Sequence, residues 1–140
     1  MTNGDGTSFT ASAEDRPSLL VVDDSAVIRD MIMLVLHYGG YRTCSAVGGN
    51  EARALVAVEI PALLITDLRM ESGDGWELIA FCHAHCPQLP ILIVSGLPNG
   101  TWPEIEGYAN GYLTKPFGFH ELLAEVARLL PASAALPNAR

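Results

Sequence analysis

Five short runs, LLVVD, RTCSA, ALLITD, ILIVS and GYLT, recur along this chain with longer helix-compatible stretches between them. That alternation constrains the fold more than any other feature. The runs occupy residues 19–23, 42–46, 62–67, 91–95 and 111–114. Three of them are continuously apolar rather than alternating, the pattern of strands buried on both faces. Helical spacing fills 26–38, 50–59, 74–86 and 119–130; Gly39-Gly40 stops the first stretch and Pro87 the third. The result is an α/β chain with a doubly wound parallel sheet and helices on both faces. Between the fourth and fifth runs, Pro98, Pro103 and several glycines leave room only for a short helix over 102–109, so an irregular or mobile element is expected there.

The 140 residues make room for one domain, and 49% hydrophobic against 17% charged residues suffices for a core. Residues 1–17 and 132–140 carry no periodicity and read as tails, which leaves 18–131 as the folded unit. A net charge of −8 argues against nucleic-acid backbones and anionic membranes as partners. No apolar run approaches the roughly 18–20 residues of a membrane helix, and the N-terminus is unlike a secretory signal. Three cysteines make no disulfide framework. The expectation is a soluble cytoplasmic domain.

In open parallel sheets, ligands bind beyond the carboxyl ends of the strands. The conspicuous polar residues fall there: Asp23 and Asp24 closing the first run, Asp67 closing the third, Ser95 closing the fourth, and Lys115, the only lysine, after the fifth. Each alone has an ordinary explanation as a helix cap, a turn residue or a surface charge. Caps and turns do not require acids, a hydroxyl and the lone lysine to converge. Three clustered carboxylates repel and need compensation. A divalent oxygen-seeking cation such as Mg²⁺ and an ammonium group would supply it. Such a rim suits a phosphoryl group, which a carboxylate can itself accept as an aspartyl phosphate.

The segments LLVVDDSAVIR, LLITDLRMESGDGWEL, ILIVSG and GYLTKPF, in that order, resemble the receiver domain of two-component response regulators across 19–130. The resemblance implies a five-stranded, flavodoxin-like (βα)₅ fold with strand order 2-1-3-4-5. It implies that Asp67 is the phosphoacceptor, taking its phosphoryl group from a sensor histidine kinase or a histidine phosphotransfer protein. Asp23, Asp24, Asp67 and the backbone carbonyl of Arg69 would hold Mg²⁺. Lys115 and Ser95 would contact the phosphoryl oxygens, Ser95 and Tyr112 would form the switch, and the Lys115–Pro116 bond would be cis. Activity would be confined to the domain's own phosphorylation and dephosphorylation. With no output domain expected after Leu130, the output would be a downstream protein target, unless the chain is a receiver cut from a longer regulator.

Two departures from the family pattern stand out. The usual Met-Pro-x-Met-Asp-Gly reads Met70-Glu71-Ser72-Gly73-Asp74-Gly75, which should loosen the loop and add a carboxylate near the site. The element preceding the fifth strand is also poor in helix formers. A phosphohydrolase using an aspartyl phosphate would need a second acid where Arg69 stands. A flavin module would need a phosphate cradle where Asp23-Asp24-Ser25 stands, and a phosphorylation-independent docking domain would not need the acid, hydroxyl and lysine set. The cluster Cys82-His83-Ala84-His85-Cys86 lacks four convergent zinc ligands, because its histidines point away from its cysteines.

Overall fold

The computed structural model describes residues 18–96 and 109–130. The assignments made above for 1–17 and 131–140, and the short helix at 102–109 except for Ala109, lie outside the described residues. In chain order the elements are β1 (Ser18–Val22), α1 (Ala26–Tyr38), β2 (Arg42–Ala46), α2 (Gly49–Val58), β3 (Leu63–Thr66), α3 (Gly75–His85), β4 (Ile91–Ser95), β5 (Gly111–Thr114) and α4 (Phe119–Leu129). All strand pairs are parallel and the sheet order is β2-β1-β3-β4-β5.

The continuous apolar runs are explained by this arrangement. Alternate residues of β1, β3 and β4 serve two separate cores. Leu20, Val22, Leu64, Ile91 and Ile93 pack with Ala52 and Val56 of α2 and Leu78, Ile79 and Cys82 of α3. Leu19, Val21, Leu63, Ile65, Leu92 and Val94 pack on the opposite face with Ile32, Val35 and Leu36 of α1 and Leu122 and Val126 of α4. A fully buried Leu or Ile contributes about 2 kcal/mol of burial, so a polar substitution at any of these apolar positions damages one core or the other. The edge strands β2 and β5 are only half-buried, and they are the two least apolar of the five runs.

Helix ends follow local chemistry. Ser25 caps α1, its Oγ accepting from the Ile28 amide at 3.3 Å. Asp74 caps α3 by accepting from the Trp76 amide at 3.0 Å. After α1 the chain reverses at Gly40, which holds φ of +94°, and the Tyr41 amide reaches back to the Leu36 carbonyl at 3.0 Å. Strand β3 ends one residue short of the expected 62–67, because Asp67 already turns into the loop while its amide donates to Val22. Among the described residues no helix is long and apolar enough to cross a membrane.

Candidate functional site

The carboxyl ends of β1, β3, β4 and β5 lie along one rim of the parallel sheet, and the residues just beyond β1, β3 and β5 form a single cluster. Asp23 is almost fully buried directly after β1; its Oδ1 accepts from the Ser25 amide at 2.9 Å. Its backbone carbonyl accepts from Nη1 of Arg29 at 2.7 Å. Asp24 is exposed beside it. Asp67 follows β3, is buried, and has its Oδ1 hydrogen-bonded by the Leu68 amide at 2.6 Å. Carboxylate oxygens of Asp23, Asp24 and Asp67 lie within 4.8 Å of one another.

Lys115 reaches across from the end of β5. Its Nζ donates to Asp23 Oδ2 at 2.9 Å and to Asp67 Oδ2 at 3.0 Å, while its backbone amide donates to the Ser95 carbonyl at 2.7 Å. Burial alone would lower the Lys115 pKa, but the hydrogen bonds and charges of Asp23 and Asp67 outweigh it and the net shift is upward. The Lys115–Pro116 bond is cis. Ser95 is buried at the end of β4 and Tyr112 is half-buried on β5. Tyr112 pairs in register with Ile93, and both belong to the core beneath α2 and α3. Ser95, two residues beyond Ile93 on the same strand, therefore shares that face with Tyr112. Arg69 is exposed two residues past Asp67, at the start of the β3–α3 loop.

The donor set fits a hard divalent cation. One ammonium against three carboxylates leaves an uncompensated negative charge, all three acids offer oxygen, and exposed Asp24 leaves one side open to solvent. The cysteine–histidine stretch has no such fit. Cys82 is buried in the core, and burial together with neighbouring Cys86 pushes its thiol up to about 12, against formation of a thiolate ligand. His83 and His85 are exposed.

The loop after Asp67 is not the loosened segment that its sequence suggests. The Gly49 amide donates to the Gly73 carbonyl at 3.1 Å and the Asn50 amide to the Ser72 carbonyl at 3.1 Å, so the loop is docked on the N-terminus of α2. Only glycine permits the approach. A Cβ at Gly48 would stand 2.3 Å from the Ser72 carbonyl oxygen, and Gly73 holds φ of +107°. Glu71, where the family pattern has proline, keeps an amide that donates to Asp24 Oδ2 at 3.4 Å. Its own carboxylate is exposed and stands outside the acid cluster. Gly75 is equally constrained: a Cβ there would lie 2.2 Å from the Asp67 carbonyl oxygen.

Two residues were missed by sequence reasoning. Arg29 braces the Asp23 backbone from the first turn of α1. Thr66, fully buried, donates its hydroxyl to the Asp67 carbonyl at 2.7 Å. Thr66 could have been noticed as the lone hydroxyl in the run LLIT; nothing in the sequence distinguishes Arg29 from other helical arginines.

The same architecture occurs in characterised proteins. Over 128 residues the chain is 31% identical to the DNA-binding dual master transcriptional regulator RpaA of Synechocystis, covering 88% of this chain and 53% of that protein. It is 34% identical over 133 residues to the alkaline phosphatase synthesis transcriptional regulatory protein SphR of Synechococcus elongatus, covering 87% and 52%. The chain thus spans about half the length of these relatives. The crystal structure of the receiver domain of NtrX from Brucella abortus superposes with a TM-score of 0.75 at 29% identity, covering 80% of this chain and 97% of that one. Residues 19–127 match the response regulator receiver domain, and this chain belongs to that family of two-component signalling proteins.

Proposed function

We propose that this chain is the phosphoacceptor of a two-component phosphorelay, with Asp67 receiving a phosphoryl group from a phosphohistidine on a sensor histidine kinase or a histidine phosphotransfer protein. The observation that carries this reading is the Asp67 carboxylate, buried at the rim and held between the Leu68 amide and Lys115 beside two further acids. In the transfer, a carboxylate oxygen of Asp67 forms the new bond to phosphorus while the phosphorus–nitrogen bond breaks and the imidazole leaves with its electron pair. The chemistry needs positioning and charge neutralisation more than covalent help. Lys115 gives its ammonium to the incoming phosphoryl oxygens, and Ser95 donates its hydroxyl to one of them. Asp23, Asp24, Asp67 and the Arg69 carbonyl would hold Mg²⁺, which when bound supplies positive charge to the same oxygens.

Once phosphorylated, Asp67 carries a dianionic group. Ser95 shifting toward it opens space on the face it shares with Tyr112, and Tyr112 turning into that space is the switch read by a downstream protein target. The domain, spanning 18–131, works in the cytoplasm and catalyses no turnover beyond its own phosphorylation and dephosphorylation. A phosphohydrolase reading is disfavoured because Arg69 stands where such an enzyme needs its second acid. Incubation with acetyl phosphate and Mg²⁺, followed by intact mass, tests the proposal. The wild-type chain gains one phosphoryl group and Asp67→Asn gains none; equal labelling of the two would defeat the assignment.

A further inference from the structure

Thr66 is buried without exposure in the last position of β3, paired with Val22 on one side and Ile93 on the other. A hydroxyl there must find a partner inside the protein, since leaving it unpaired is costly. It finds the carbonyl of Asp67, at 2.7 Å. That carbonyl belongs to the Asp67–Leu68 peptide, whose N–H donates to the Asp67 carboxylate Oδ1 at 2.6 Å. The hydroxyl, the peptide and the carboxylate therefore form one chain of hydrogen bonds. Donation to a peptide oxygen polarises the amide and strengthens donation from its N–H. Planarity of the peptide also fixes where that N–H points once its oxygen is held. Gly75 closes over the same oxygen, where even a Cβ would not fit, and its amide holds the next carbonyl, that of Leu68, at 3.0 Å.

We propose that Thr66 is a positioning residue for phosphoryl transfer, acting through the Asp67–Leu68 peptide to orient the Asp67 carboxylate. The proposal rests on Asp67 being the phosphoacceptor, and its test has one arm that does not. Thr66→Val keeps the β-branched shape and removes the donor; Thr66→Ser keeps the donor and removes the methyl group. With acetyl phosphate and Mg²⁺, Thr66→Val is phosphorylated roughly threefold to tenfold more slowly than wild type, the range of one ordinary hydrogen bond, and Thr66→Ser restores most of the rate. An undiminished rate in Thr66→Val, or a serine variant as slow as the valine variant, would overturn the proposal.

The second arm is NMR without metal or phosphodonor. The Leu68 amide proton moves upfield in Thr66→Val and returns in Thr66→Ser, and in wild type the Thr66 hydroxyl proton is protected from exchange. An unmoved Leu68 proton, or a wild-type hydroxyl exchanging freely with water, would overturn the coupling. The wild-type measurement stands even if the valine variant does not fold. Failure of wild type to accept phosphate would instead defeat the phosphoacceptor reading and leave the NMR arm intact.

Discussion

Replacing Lys115 with methionine removes the ammonium from the acid cluster and keeps the length of the side chain. The ammonium makes two contacts at about 3 Å, to carboxylates whose side chains are 2% and 11% exposed. At an effective dielectric near 20, each contact represents roughly 5 kcal/mol of attraction, before the cost of desolvating the ions is set against it. Without the lysine, three carboxylates remain within 4.8 Å, and each pair repels by roughly 3 kcal/mol on the same scale. Desolvation cancels much of the gross attraction, so the net loss falls at about 3 kcal/mol, the low end for breaking a buried pair. Urea denaturation at neutral pH with EDTA reads it directly. Millimolar Mg²⁺ should restore more stability to the variant than to wild type. A deficit below about 1 kcal/mol, the size of an exposed ion pair, would refute the reasoning.

Alkaline titration checks the same contact from the other side. The Lys115 pKa is raised above its ordinary 10.5, so its stabilisation is complete below that value and lost as pH rises through the higher folded value; wild type should lose urea stability there more steeply than Lys115→Met. Asp24→Ala should weaken Mg²⁺ binding and slow phosphorylation, read by calorimetry and intact mass, whereas Cys82→Ser and Cys86→Ser should leave Mg²⁺ binding unchanged. Gly75→Ala, forcing a Cβ to 2.2 Å from the Asp67 carbonyl oxygen, should cost about 1–3 kcal/mol in a denaturant melt and slow phosphorylation as Asp67 shifts. Ser95→Ala should still accept phosphate, yet hydrogen exchange across β5 should change less than in wild type when the beryllofluoride mimic is added.

The parallel sheet covered on both faces and the convergence of Asp23, Asp24, Asp67 and Lys115 follow from features visible in the sequence, whereas the strand order came only through the resemblance to receiver domains. Doubly covered strands leave unbroken apolar runs, and a parallel sheet carries whatever ends those runs to one rim. The β3–α3 loop was misread for a physical reason. Its anchors are backbone amides of Gly49 and Asn50 and backbone carbonyls of Ser72 and Gly73, groups that every residue possesses. The side-chain pattern recorded only a missing proline, and the glycines that permit close approach look the same as glycines that merely confer freedom. Thr66 was legible as an oddity but not as a donor, since the partner of a buried hydroxyl depends on how the next peptide turns.

The central claim is that the phosphoryl group resides on Asp67. Borohydride reduces an aspartyl phosphate to homoserine, so wild-type protein treated with acetyl phosphate and Mg²⁺, reduced and sequenced by tandem mass spectrometry, reports the acceptor residue by residue. The proposed phosphoacceptor role predicts homoserine at position 67 and at no other aspartate; homoserine at position 23, 24 or 74, or none anywhere in a chain that has gained phosphate, would contradict it.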